Sequence, residues 1–383
     1  MVLVVFLLFL TNVMVTVGSS ISEPEDVLSS KIWYVDDDGG ADYTSIQAAI
    51  DNASDGDTVF VYSGMYYEIV HVVKEISLIG EDRDSTIINA QWQDTPVRIW
   101  SSNVTVEGFT VQNSIVDWYS SGINIYGAHV QVTDCIVKSN DCGFRVTKTD
   151  DVLIENCTIY DNFGHSIYNI NSSNVTIQYC EIYQNGCEEE SVSGGIQISS
   201  DAGCDPLANV FIHHNLIYEN DIDAITVGGY TDVYIEYNHI FNNDKDGVLL
   251  WPSEVYIRHN VISGNSWNGT SWDAGILLLD CIDLVTIEHN HFEGNRLGLY
   301  MLRSSGNVIR NNNFIENRRH TDYCYAGVDS ESECGFSNDW AGNYWDNQFL
   351  PWVKLVRGTF GDMGFIPVFD FDWHPAENPY DYH

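Results

Sequence analysis

The chain has 383 residues, with 16 Lys and Arg against 55 Asp and Glu, a formal net charge of −39. A field of that sign argues against nucleic acid and against unassisted binding of polyanions, and favours cations, neutral glycans or a salty exterior. Nine cysteines suit an exported protein, and with no C-x-x-C spacing they support neither a zinc nor an iron–sulfur site.

Residues 1–17 are almost wholly apolar and lead into Gly18-Ser19-Ser20, so 1–20 reads as a signal peptide. No Lys or Arg precedes the run, which leaves an uncleaved signal anchor as the alternative and as the only membrane contact expected. Residues 21–32 are a polar linker. Ile46, Ala49, Ile50 and Ala53 then fall at helical spacing, which predicts a helix near 44–53 with Asp42 or Thr44 as its N-cap. Segments 58–62, 69–79 and 86–90 read as strands of two irregular opening coils.

From Val104 onward one frame recurs. It is clearest as Val130-x-Val132-x-x-Cys135-x-Val137-x-x-Asn140, repeated from Val152 and Val175, and again from Val210, Val233, Val255, Val285 and Asn307. A fixed period of this kind marks a stacked repeat architecture. The frame carries two alternating apolar segments, and a third follows the closing Asn, as in Gly143-Phe-Arg-Val146 and Gly195-Ile-Gln-Ile198. Three short strands in so few residues close one coil of a parallel β-helix, with successive coils ~4.8 Å apart. The fold class is therefore all-β, with about 10–11 coils over 33–320. In that geometry the sixth frame position stacks Phe109, Cys135, Cys157, Cys180, Asn215, Asn238, Asn260, Asn290 and Asn312, while the eleventh stacks asparagines from Asn140 to Asn317. Buried amides need partners for every donor and acceptor, and stacked asparagines supply them to one another.

These Asn ladders and the V-x-I-x-x-N-x-I-x-x-N frame resemble the right-handed parallel β-helix repeats of the pectin-lyase-like superfamily. Within it the chain looks like secreted archaeal and bacterial members of the NosD-like, carbohydrate-binding and sugar-hydrolase repeat type. The resemblance covers Trp33 to the C-terminus and implies that the short helix covers the first coil. It does not choose an activity, because that fold hosts lyases, hydrolases, epimerases and inert scaffolds. Polygalacturonase signatures are missing, Phe163-Gly-His165-Ser being a lone fragment. Pectate lyases need a basic Arg near calcium-binding Asp, and Arg145 is the one outward Arg of the third strands before Arg303. The aromatic tail 321–383, with Trp340, Tyr344, Trp345 and Trp373, is expected to fold back over an apolar strip of Leu249, Trp251, Leu277, Leu279, Tyr300 and Leu302.

Among candidate sites, frame alignment puts Asp221 beside Asp244 and Asp223 beside Asp246, with Asp273 extending the column. Stacked carboxylates share a proton, hold a cation such as calcium, or simply cap turns. The first arrangement would make Asp223 and Asp246 a catalytic pair; the second would make Asp221, Asp223, Asp244, Asp246 and Asp273 a calcium site. Outward columns Tyr160, Tyr183, Tyr218, Phe241 and Phe211, Tyr234, Tyr256 offer flat faces for sugar rings, as do Trp267 and Trp272 in a loop that also carries the glycosylation sequon at Asn268. His214, His259 and His289 share one turn position, with Tyr237 interrupting them. Glu236, Arg258, Glu288 and Arg310 form an ion-pair ladder. Cys187–Cys204 and Cys324–Cys334 bracket loops as disulfides, Cys135, Cys157 and Cys180 are buried thiols, and Cys142 and Cys281 have no assignment. The leading expectation is a secreted or cell-surface protein that engages a neutral polysaccharide or cell-surface glycan without catalysis. The rivals are a calcium-assisted polysaccharide hydrolase or lyase, and a structural envelope or adhesion protein.

Overall fold

A computed structural model describes residues 30–117, 120–186, 194–200, 208–230, 232–266, 273–325, 338–347, 353–360 and 366–382. The unit from Lys31 onward is described below. The signal segment and most of the linker, the Trp267–Trp272 loop with Asn268, and Cys187, Cys204 and Cys334 lie outside these residues.

Each repeat contributes one strand to each of three sheets. The first contains Val130–Thr133, the second Ile136–Lys138 and the third Phe144–Thr147; they hold thirteen, twelve and thirteen strands. Neighbouring coils pair in parallel with the frame in register: Val130 lies opposite Val152 and Val152 opposite Val175, while Ile159 lies opposite Ile182. Alternate side chains therefore point into one apolar column, and Val, Ile and Leu at those positions are fully buried. The strand counts exceed the expected coils because Ile32–Val35, Asp339–Ala341 and Tyr344–Trp345 also join the stack.

Both ladders form. In the first, Asn238 donates its backbone N–H to Asn260 Oδ1 at 2.9 Å and its Nδ2 to the same oxygen at 3.0 Å, and to Ile212 O at 2.8 Å. The second repeats this bonding at Asn140, Asn162, Asn185, Asn220, Asn243, Asn265 and Asn295. The residue before each ladder position is left-handed: Asp134, Asn156, Tyr179, His214, Tyr237, His259 and His289 all have φ between +50° and +60°. That reversal lets two residues turn the chain from one sheet to the next. Cys135, Cys157 and Cys180 continue the first ladder as buried thiols, and burial pushes the unassigned Cys142 and Cys281 thiols up to about 12.

The cap helix is Ile46–Asn52, buried through Ile46, Ala49 and Ile50. Its N-cap is Ser45, whose hydroxyl accepts from Ala48 N–H, and not Asp42 or Thr44; the Asp42 carboxylate instead accepts from Tyr34 N–H at 3.1 Å. The tail's described strands Arg319–Tyr325, Lys354–Phe360 and Ile366–Asp372 extend the third sheet, the last pair antiparallel, and Leu277 and Tyr300 of the apolar strip are buried. Tyr380 and Tyr382 then run along the corner of the first and second sheets, hydrogen-bonded to Asn313, Gly342 and Asn311. The first ladder ends on Asp372, whose Oδ2 accepts from Asn343 N, Asn343 Nδ2 and Trp345 Nε1 at 3.0, 3.1 and 3.2 Å. No described helix is long and apolar enough to cross a membrane.

Candidate glycan-binding face and carboxylate column

The third sheet carries an outward column in which Asn124, Thr226, Leu277 and Tyr300 are buried and the other members are partly exposed. Its register runs Arg98, Asn124, Arg145, Tyr168, Gln197, Thr226 and then Leu249, Leu277, Tyr300. The first half is polar and aromatic, the second apolar. Arg98 is neutralised by Asp94, whose carboxyl is held low chiefly by that hydrogen bond. The Arg145 guanidinium sits 4.9 Å over the Tyr168 ring, on which the His165 imidazole also stacks at 4.9 Å. Beside this column Trp100, 51 % exposed, lies flat against Tyr126 at 4.3 Å and 10°. Trp92 and Phe163, both half exposed, meet edge-on at 6.0 Å. Val97–Ile99 is a full third-sheet strand, so Arg98 is a second outward Arg before Arg303, which reading that stretch as irregular conceals.

The predicted carboxylates stand at the corner that leads into this sheet. Asp223 Oδ1 accepts from Asp246 N–H at 3.1 Å, and Asp246 Oδ1 accepts from Ala274 N–H at 2.5 Å. The column of Asp223 and Asp246 thus passes to Ala274. Asp273 falls one residue short of it, correcting the alignment that made it a third member, although its charge still acts on both. Desolvation is the first cause that raises each: Asp223 is pushed up to about 6, and Asp246 well above the usual carboxylate range, with Asp223 its next cause. Asp221 and Asp244 stand half exposed nearby, their backbone N–H groups donating to Asn185 O and Asn220 O of the preceding coils.

A carboxyl whose pKa is raised by folding binds its proton more tightly in the native state. Its stabilising contribution is complete below the ordinary carboxylate range and is lost as pH rises through the folded value, near 6 for Asp223. Asp246→Asn keeps an oxygen for Ala274 N–H and removes the charge. Its melting temperature should match or fall below that of the parent at pH 4 and exceed it at pH 8. A difference that stays constant across that range would refute the buried-charge account.

The other predicted residues lie elsewhere. Tyr160, Tyr183, Tyr218 and Phe241 stack on the second sheet at 5.0, 5.1 and 4.8 Å, and Phe211, Tyr234 and Tyr256 on the first at 5.0 and 5.1 Å. Neither ladder shares the third-sheet face. Each is explained by identical positions lying over one another, and the Tyr218 hydroxyl is already committed to Glu181 at 2.8 Å. Tyr237 does not interrupt the histidines: it lies flat between His214 and His259, at 5.1 and 4.8 Å. Arg258 pairs with Glu288 at 2.9 Å and faces Glu236, as predicted, whereas Arg310 pairs with Asp339.

The calcium set does not fit what is present. Asp223 and Asp246 spend oxygens on backbone N–H groups of the next coil, and among the described residues no three His, Cys, Asp or Glu side chains gather to hold an ion.

With this architecture and face in view, the chain belongs to the right-handed β-helix family: the family model "Right handed beta helix region" matches residues 81–228 and 189–314, together more than half of the chain. Solved structures with the same fold include the A-module of the mannuronan C-5 epimerase AlgE4 of Azotobacter vinelandii, 18% identical, covering 75% of this chain and 97% of that one at a TM-score of 0.57. The surface adhesin PfbA of Streptococcus pneumoniae is 14% identical, covering 87% and 95% at 0.54. The catalytic domain of a GH87 α-1,3-glucanase, solved with tetrasaccharides, is 14% identical, covering 83% and 62% at 0.54. At these identities the likeness is one of fold. No curated protein matches the chain by sequence.

Proposed function

We propose that the chain is a secreted or cell-surface β-helix protein that binds a neutral glycan along the polar half of its third sheet. The observation that carries this is the flat Trp100–Tyr126 surface beside the partly exposed Arg145, Tyr168 and Gln197 column. Aromatic faces take the apolar faces of sugar rings, while amides and guanidinium take hydroxyls. The neutralised Arg98 and the net charge of −39 favour an uncharged sugar. That the fold neighbours include a glucanase and a surface adhesin supports the class of ligand and the location. Affinity electrophoresis through neutral polysaccharides tests the proposal. The parent should be retarded by at least one, and Trp100→Ala should weaken that binding about tenfold, ~1.4 kcal/mol, without shifting the melting temperature. Passage of the parent unretarded through all of them would overturn it.

A second reading rests on the raised pKa of Asp223 and Asp246. A carboxyl still protonated near pH 6 is the kind of group that donates a proton to a glycosidic oxygen, with a partner at another protonation state as base. Release of reducing ends from a bound polysaccharide, abolished in Asp223→Asn, would establish it. Binding without release leaves the first reading alone.

A further inference from the structure

The corner between the first and second sheets, away from the glycan face, carries a separate arrangement. His213 closes the strand Val210–His213, and His214 follows with φ +57°. The left-handed turn swings the second imidazole back toward the first, so that His213 Nδ1 and His214 Nδ1 lie 3.0 Å apart with ring planes at 86°. Other imidazoles on this corner cannot converge in the same way: His259 and His289 lie nearly parallel at 5.1 Å and 15°, and their in-plane lone pairs run side by side.

Two nitrogens 3.0 Å apart suit neighbouring positions on one ion. With metal–nitrogen bonds of about 2.0–2.1 Å the angle at the metal comes to about 91–97°, nearer the right angle of a tetragonal centre than the tetrahedral angle. The surroundings favour a cation. Glu236 lies in register with His213 one coil on, and Glu155 two coils back through Gln178. An open groove of about 560 Å³ is lined by Glu107, Asp134, Glu155 and Tyr179, and the Tyr179 ring lies 5.1 Å from His214.

We propose that His213 and His214 form a two-nitrogen binding site for a divalent transition ion, Cu(II) or Ni(II), with water in the remaining positions. As the rings stand, one Nδ1–H donates to the other Nδ1; to bind the ion the donor ring shifts its proton to Nε2, so that both rings present Nδ1.

Titration of the full chain with Cu(II), followed by electron paramagnetic resonance, tests this. One equivalent should enter a site with two-nitrogen hyperfine structure. His213→Gln and His214→Asn should each weaken it at least tenfold, Asn being chosen because it tolerates the left-handed turn. His259→Gln should leave it unchanged. Parent-like affinity in both variants, an equal loss in His259→Gln, or a spectrum with oxygen ligands alone would overturn the assignment. Melting curves identify a variant that has lost its fold, and for such a variant the parent spectrum alone decides.

Discussion

Asp372→Ala is expected to cost about 3–5 kcal/mol and to fray the C-terminal coils. The Asp372 side chain is fully buried, and its Oδ2 takes three donors, from Asn343 N, Asn343 Nδ2 and Trp345 Nε1, while Oδ1 takes His374 N–H at 3.2 Å. Alanine leaves those donors facing a cavity, and each orphaned donor costs about 1–3 kcal/mol. Part of this is recovered as the end of the stack loosens and admits water. Asp372→Asn should be milder: its oxygen at the Oδ2 position keeps three bonds, and only its amide then confronts the His374 N–H. Urea unfolding of the three proteins gives the ranking, and hydrogen exchange at Asn343 and the Trp345 indole locates the damage. A loss below about 1 kcal/mol for Asp372→Ala would mean that the ladder does not end on this carboxylate.

The architecture was legible because its cause is repetitive. A buried amide at a fixed frame position has one economical solution, another amide above it, so the frame from Val130 to Asn317 discloses the stack without knowledge of any contact. Features outside the repeat were not legible in this way. Asp372 occurs once, in Phe371-Asp-Trp373, and nothing in the sequence ties it to Asn343. The Ser45 cap competes with two neighbouring residues of equal capping chemistry, and the choice is made by where the chain enters the helix. Asp273 looked aligned with Asp246 because the inserted turn between them hides a one-residue offset, visible only through the bond from Ala274. The candidate face was half legible. Arg145 and the His165 fragment were visible, but Trp100, Tyr126 and Arg98 belong to opening coils whose spacing departs from the frame. The Tyr237 position looked like a break only because histidine was taken as the rule of its column. The rule there is the left-handed turn, and flat rings of either type stack on it.

Asn260→Asp should destabilise the chain in a way that Asp372 does not, because a carboxylate suits only the end of a ladder. Asn260 accepts from Asn238 N at 2.9 Å and Asn238 Nδ2 at 3.0 Å, and it donates Nδ2 to Ile235 O, Arg258 O and Asn290 Oδ1 at 2.8, 3.0 and 3.0 Å. A carboxylate there would keep the accepted bonds but face three carbonyl oxygens with an oxygen of its own, whereas Asp372 meets donors alone. The introduced acid must therefore bind a proton in the folded state, and its pKa rises with burial. By the linkage relation the variant is least impaired below the ordinary carboxylate range, and it loses stability as pH climbs through the folded value. At pH 8 the deficit should reach about 4 kcal/mol, the scale of uncompensated buried donors and acceptors and of a broken buried charge network. At pH 4 the protonated acid still donates one bond, and the deficit should shrink by at least half. Urea midpoints of parent and variant at the two pH values measure both terms. Equal deficits would show that water reaches the ladder, and that stacked asparagines are not the enclosed network on which the coil register depends.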